Sequence, residues 1–401
     1  MNKEILALET NHTWLLTELH ADKTLMDCKW IYKVKFHSDG SIERYKARLV
    51  ARGFTQVEGL DYHETFAPVA KMTTVRCLLV IAAAQHWPLH QLDVNNAFLH
   101  GSLDEEVYMK LPPGFYKKEK AVGKVCMLMK SLYELKQASR QWFAKFSEAL
   151  AEFGFLNCLN DYSLYTLQKD GQFLILLVYV DDVIITGPSE SLISAVKKFI
   201  QQKFQIKYLG PLKYFPGLEV ARSSAGIFLN QRKYVIELLE EHNMTDCKPS
   251  KTPLELKHKL GQSTEPVLSD PLPYRRLVGK LIYLTITRPD LAYPVNILSQ
   301  FMQSPSEEHM RAVHRLLRFI KGGPAQGIFF SSTSDLQLQA YCDADWAACP
   351  VIRRSINGHC VMLRPTVVSW KTKKQPVISR SSVESEYRSM VAVCCELVRL
   401  A

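Results

Sequence analysis

Two adjacent carboxylates, Asp181 and Asp182, directly follow the eight-residue apolar run 173–180 and precede a second apolar stretch, Val183-Ile184-Ile185. Ionised aspartates between buried strands cost several kcal/mol unless a cation or hydrogen bonds satisfy them. The chain must therefore bring two apolar strands into a core and answer the charge at their junction. A hairpin with the aspartates at its bend, facing a bound cation, meets both demands.

With 401 residues, two or three folding units are expected. Hydrophobic residues make up 47% and charged ones 22%, which suits a globular chain and excludes wholesale disorder. No apolar run approaches the roughly 18 residues of a membrane span, and the N-terminus does not lead into a secretory core, so an intracellular protein is expected, not secreted. The ten cysteines form no Cys-x-x-Cys pair, which points to reduced thiols.

A formal charge of +10 favours a polyanionic partner. Its distribution is more telling. Residues 28–54 carry seven basic side chains (Lys29, Lys33, Lys35, Arg44, Lys46, Arg48, Arg52) against two acidic ones, interleaved with Trp30, Tyr32, Phe36 and Tyr45. Such a pattern suits a nucleic-acid backbone or a triphosphate, and equally a solvated hairpin with cross-strand aromatic pairs.

Along the chain, 28–54 reads as two strands turning at Ser38-Asp39-Gly40. Helices are expected at 73–86, at 138–153 with Trp142, Phe146 and Leu150 inward, and at 189–204 with Ser189 as N-cap. Gln91-Leu92-Asp93-Val94 reads as a short strand reaching a polar tip at Asn95-Asn96. The Pro-rich stretch 251–273 reads as a linker or extended connection. Beyond it, 309–321 is an amphipathic helix whose outer arginines, Arg311, Arg315 and Arg318, would track phosphates or simply be solvated. Strands follow from 336 onward, and a last helix from 381 or 382 has Val383, Tyr387, Met390, Val391, Cys394 and Leu397 on its apolar side. The fold class is α+β.

Two-metal phosphoryl transfer needs carboxylates that converge from separate elements, because two Mg²⁺ ions about 4 Å apart must bind the attacking oxygen, the leaving oxygen and the phosphate. Magnesium takes oxygen ligands and keeps several waters, so two or three aspartates suffice. Asp93 at one strand end, with Asp181 and Asp182 at a bend, forms such a set.

At these residues a family resemblance enters. Tyr179-Val180-Asp181-Asp182 resembles the catalytic hairpin of reverse transcriptases. The blocks Glu43-Arg44-Tyr45-Lys46-Ala47-Arg48-Leu49-Val50-Ala51-Arg52-Gly53-Phe54, Glu64-Thr65-Phe66-Ala67-Pro68-Val69-Ala70-Lys71 and Gln91-Leu92-Asp93-Val94-Asn95-Asn96-Ala97-Phe98-Leu99-His100-Gly101 are similar to copia-type LTR retrotransposon polyproteins. The resemblance implies a right-hand polymerase with fingers and palm (1–250), a thumb or connection (251–333), and the N-terminal part of a ribonuclease H-like α/β module (334–401).

The resemblance further implies RNA-directed DNA polymerase activity on an RNA template, a DNA primer and dNTPs, with two Mg²⁺ ions, or Mn²⁺ in their place, on Asp93, Asp181 and Asp182. Cytoplasmic particles or the nucleus would house it. Phe98 would exclude a ribose 2′-OH or else be plain core. Gln137 would line the incoming nucleotide, and Lys46 or Arg48 would neutralise its triphosphate. The segment 207–215 would help hold the primer end. Asp343 and Glu386 would be ribonuclease H carboxylates, although helical geometry alone does not separate Glu386 from Glu384. One Asp and one Glu cannot readily hold two metals, so no independent ribonuclease H activity is expected.

Two departures from the family pattern stand out. Glu134 occupies a position where glycine is usual, and Pro216 one where leucine is usual, with proline expected to remove a strand hydrogen bond. They suggest the alternative of a decayed element product that binds nucleic acid without catalysis.

Overall fold

The computed structural model describes residues 1–36, 41–114, 123–255 and 258–400. The expected turn at Ser38-Asp39-Gly40 lies outside them. The chain divides into two compact units, one of Met1–Ala70 with His90–Gly210, the other of Lys71–Leu89 with Pro211–Ala401.

The first unit is built on a six-stranded sheet in the order Ile206–Pro211, Leu89–Val94, Asp182–Thr186, Gln172–Tyr179, Asp161–Lys169, Leu156–Cys158. Alternation decides which side chains meet the helices. Leu174, Leu176 and Val178 point one way and pack with Trp142, Phe146 and Leu150 of helix Ala138–Phe153 and with Ile193, Val196 and Ile200 of helix Glu190–Lys203. Ile175, Leu177 and Ile184 are buried as well, which is why the run reads as continuously apolar. Ser189 caps its helix as expected, accepting the Leu192 N–H at 3.3 Å.

A two-stranded ribbon, Cys28–Phe36 with Ile42–Ala51, carries the basic segment. Its register sorts the side chains by chemistry. Ile31 lies opposite Arg48, Lys33 opposite Lys46 and Lys35 opposite Arg44 on one face, while Trp30, Tyr32, Val34 and Tyr45 share the other. The ribbon is anchored by Leu49 and Ala51, buried with Ile5 and Leu8 of the N-terminal helix Asn2–Thr10.

In the second unit, helices Arg232–Glu241, Leu272–Leu284, Ala292–Ser299 and Glu307–Lys321 share one core. Val313, Leu316, Leu317 and Ile320 form the inward face of the last of these, as their spacing predicts. Its outer arginines are neither free nor merely solvated. Arg318 donates to the Lys248 carbonyl at 2.8 Å, Arg315 donates to Thr252 at 2.9 Å and pairs with Glu255 at 3.2 Å, and Arg311 pairs with Glu265. They strap the Pro-rich connection along the helix.

Pro216 proves to be a turn residue. Strand Tyr214–Phe215 pairs with Leu218–Ser223, Phe215 opposite Leu218, so Pro216-Gly217 forms the two-residue loop. Gly217 has φ 73°, and a proline before such a glycine presets the turn instead of removing a ladder bond.

Strands Leu338–Asp345, Ile356–Leu363 and Thr366–Lys374 form an antiparallel meander, followed by helix Ser382–Leu400. This helix buries Ser385, Ser389 and Val393, while Val383, Tyr387, Met390 and Val391 are exposed. Small residues let it approach the first strand closely, and Ser389 donates to the Asp343 carbonyl at 2.9 Å. Among the described residues no helix is long and apolar enough to cross a membrane.

Candidate active site

Asp93 lies one residue before the end of strand Leu89–Val94, and the neighbouring strand Asp182–Thr186 begins with Asp182. Tyr179 pairs with Asp182, leaving Val180 and Asp181 as a two-residue loop. Tight hairpin loops require positive φ, and Val180 supplies 59°, a conformation that a β-branched residue adopts only under strain. Two bonds hold the loop. Trp142 donates its indole N–H to the Val180 carbonyl at 2.6 Å, and the Val94 N–H donates to the Asp181 carbonyl at 2.9 Å.

The three carboxylates share one electrostatic neighbourhood. Burial pushes the Asp93 carboxyl above the usual carboxylate range and Asp181 adds to it, against Lys46, Lys207 and Arg48. Burial also raises Asp182; a hydrogen bond from Gln91 at 2.9 Å opposes this, while Asp181 and Asp93 reinforce it. Crowded, half-buried oxygens with surplus negative charge are the donor set a hard divalent cation prefers. Among the described residues, however, no three His, Cys, Asp or Glu side chains are arranged to hold a metal ion.

Lys46 and Arg48 are half-buried on the basic face of the ribbon, and burial with the neighbouring cations Arg48 and Arg44 lowers the Lys46 pKa. Like charges opposite one another on a ribbon repel, so Lys33–Lys46 and Lys35–Arg44 gain from a polyanion between or over them. Arg48 lies over the Tyr133 ring, 4.5 Å from its centroid. The Tyr133 phenol, pushed up to about 12 by burial, donates to Asn96 at 3.0 Å. Phe98, in the short turn Ala97–His100, meets the same ring edge-on at 5.6 Å.

Gln137 is fully buried and both ends of its amide are engaged: it accepts from Gln56 at 3.0 Å and donates to the Asp61 carbonyl at 3.0 Å. It braces the loop 56–61. Glu134 has φ 70°, a left-handed backbone that glycine adopts without cost, which gives glycine at this position a physical reason.

Away from these residues, in the second unit, Asp343 lies on the first meander strand, and Glu386 reaches the neighbouring Ala344 N–H at 3.4 Å. Glu384 is bound instead to Arg388 and to the Arg380 N–H. The helix thus turns Glu386, not Glu384, toward the strand of Asp343. Sequence reasoning assigned no part in the site to Gln91 or Tyr133, and read Trp142 only as an inward residue of its helix. Gln91 had a readable signal, since it shares a strand face with Asp93 while Leu92 and Val94 point the other way.

The profile of the family described as reverse transcriptase (RNA-dependent DNA polymerase) matches residues 11–256. The chain belongs to that family. It is 46% identical over 398 residues to the Retrovirus-related Pol polyprotein from transposon RE1 of Arabidopsis thaliana, covering 99% of this chain and 27% of that protein. It is 38% identical over 413 residues to the corresponding polyprotein from transposon TNT 1-94 of Nicotiana tabacum, covering 100% of this chain and 31% of that protein. The resemblance to copia-type polyproteins therefore holds over nearly the whole chain, which spans about a third or less of these relatives.

Proposed function

We propose that the chain is an RNA-directed DNA polymerase that extends a DNA primer on an RNA template. The observation that carries this reading is the meeting of Asp93, Asp181 and Asp182 at the ends of adjacent strands, tied by the Val94–Asp181 bond of 2.9 Å. The six-stranded sheet with its two helices is the palm in this reading, and the basic ribbon belongs to the fingers. Residues 251–333 form the thumb or connection, and the meander with its last helix a ribonuclease H-like module.

Asp93, Asp181 and Asp182 would hold two Mg²⁺ ions together with the substrate phosphates and waters that magnesium also takes as ligands; the bound ions would supply charge stabilisation for in-line attack of the primer 3′-OH on the dNTP α-phosphate, with pyrophosphate leaving. Lys46 and Arg48 offset charge on the triphosphate. Phe98 excludes a 2′-OH from the sugar site. Gln137 keeps the adjoining loop in place through Gln56 and Asp61. Primer extension with purified protein on poly(rA)·oligo(dT), beside Asp181→Asn, tests the reading. Incorporation should fall by about 10²-fold or more in the variant; equal activity would sink the assignment.

One observation favours a second reading, nucleic-acid binding without catalysis: the basic ribbon sets Lys33 opposite Lys46 and Lys35 opposite Arg44, pairs that a polyanion would relieve whether or not the aspartates catalyse. Template-primer binding that weakens steeply with salt, with no incorporation in Mg²⁺ or Mn²⁺, is its signature.

A further inference from the structure

We propose that Tyr133 is the positioning residue that sets Arg48, Phe98 and the turn after Asp93 in one arrangement, and thereby governs triphosphate affinity and sugar selection. This rests on the polymerase reading above. Three contacts converge on the one side chain: Arg48 over its face at 4.5 Å, Phe98 at its edge at 5.6 Å and 89°, and Asn96 on its hydroxyl at 3.0 Å. The main chain fixes the ring in turn, because the Ala51 N–H donates to the Tyr133 carbonyl at 3.0 Å beside a bridge to Val50. Tyr133 is thus fastened to the strand that carries Lys46 and Arg48.

Each contact has a separate consequence. An aromatic face orients a planar guanidinium without neutralising it, so Arg48 keeps its charge for a ligand. Its Nε is buried without a hydrogen-bond partner, and among the described residues it forms no ion pair; Glu4 and Asp93 act on it through charge alone, so the ring is the group that holds the plane of the guanidinium. The edge contact restrains Phe98, and a steric filter discriminates only if its bulky group cannot swing aside. Asn96 is left-handed at φ 54° and opens the turn Ala97–His100, so the hydroxyl bond fixes how the chain leaves the Asp93 strand.

Substitutions separate these roles. Tyr133→Leu removes the ring and is expected to raise the KM for dTTP about tenfold and to lower the preference for dTTP over UTP about tenfold on poly(rA)·oligo(dT). Tyr133→Phe keeps the ring, so KM and preference stay near wild type while kcat falls about threefold. Combining Arg48→Met with Tyr133→Leu should raise KM no further than Arg48→Met alone. A merely structural role would lower Tm and the active fraction without moving KM or sugar preference.

Wild-type KM and preference in Tyr133→Leu would overturn the proposal. If the wild-type chain extends no primer, the polymerase reading fails separately, and equilibrium dTTP binding in Ca²⁺ decides the matter for Tyr133. Tenfold weaker binding by Tyr133→Leu supports the placement, whereas equal binding by both proteins, or none by either, overturns it.

Discussion

Gln91 donates its side-chain amide to Asp182 across neighbouring strands, at 2.9 Å. The bond joins the two elements that bring the carboxylates together, and it is the one interaction that lowers the Asp182 pKa against burial and two neighbouring charges. Gln91→Met keeps a side chain of similar length and removes it. Incorporation is expected to fall about tenfold through kcat, with KM for dNTP little changed, because the loss concerns the orientation of a carboxylate and not contact with the triphosphate. Steady-state primer extension checks this; unaltered kcat would leave Gln91 a packing residue.

Glu134 holds a left-handed backbone with φ 70°. Its ion pair with Lys29, 3.5 Å and half exposed, contributes little in return. Relief of the left-handed penalty, offset in part by glycine's greater unfolded-state entropy, gives Glu134→Gly a net gain of about 0.5–1 kcal/mol. The urea midpoint should rise at constant m-value. Gly53 lies beneath this turn, where an added Cβ would sit 1.9 Å from the Glu134 carbonyl oxygen, so Gly53→Ala should lower the midpoint in the same experiment.

The carboxylates were legible because charge between apolar strands has few solutions, and helix 307–321 was legible because its apolar positions follow a 3.6-residue period. Pro216 shows what was not. A one-residue difference in where a strand ends converts a harmful proline into a favourable turn residue, and strand ends are set by pairing with Leu218–Ser223, which sequence periodicity does not report. The last helix misled for a related reason: Val383, Tyr387, Met390 and Val391 are exposed while Ser385 and Ser389 are buried, since close approach to a strand selects size over hydrophobicity. Tyr133 was invisible because its three partners come from distant segments.

From the turn geometry, Pro216→Leu should not restore activity to a weak polymerase; it should cost about 0.5–1 kcal/mol by freeing a preset φ in the unfolded chain. Gly217→Ala is the harsher change. Its Cβ would lie 1.7 Å from the Tyr283 hydroxyl oxygen at a left-handed φ, and that hydroxyl also donates to the Pro216 carbonyl at 3.1 Å. A loss of about 2–3 kcal/mol in chemical denaturation is expected; a neutral Gly217→Ala would refute the turn assignment.

Arg315 and Arg318 offered a choice between phosphate contacts and a structural face. Arg315 donates to Thr252 and Glu255, and Arg318 donates its Nε to the Lys248 carbonyl. Replacing either with alanine should therefore leave the salt slope of template-primer binding unchanged, where loss of a phosphate contact would reduce it by about 1. Limited proteolysis should instead cut faster within the strapped connection. A reduced salt slope at normal cleavage would return these arginines to the nucleic-acid surface.

Glu396 gives the second unit a defined acid response. Its carboxyl is held down at about 2, chiefly by the hydrogen bond from Arg399 and, against burial, also by Ser369 and the charges of Arg399 and His359. A carboxyl whose folded value lies below its unfolded value of 4.5 stabilises the fold fully above that unfolded value, and loses the contribution as pH falls toward about 2. Glu396→Gln should lower Tm at neutral pH by a margin that shrinks between about pH 4.5 and 2 and vanishes below. Thermal melts of both proteins across that range test it, and a margin that stays constant with pH would show that Glu396 acts through packing and not through its charge.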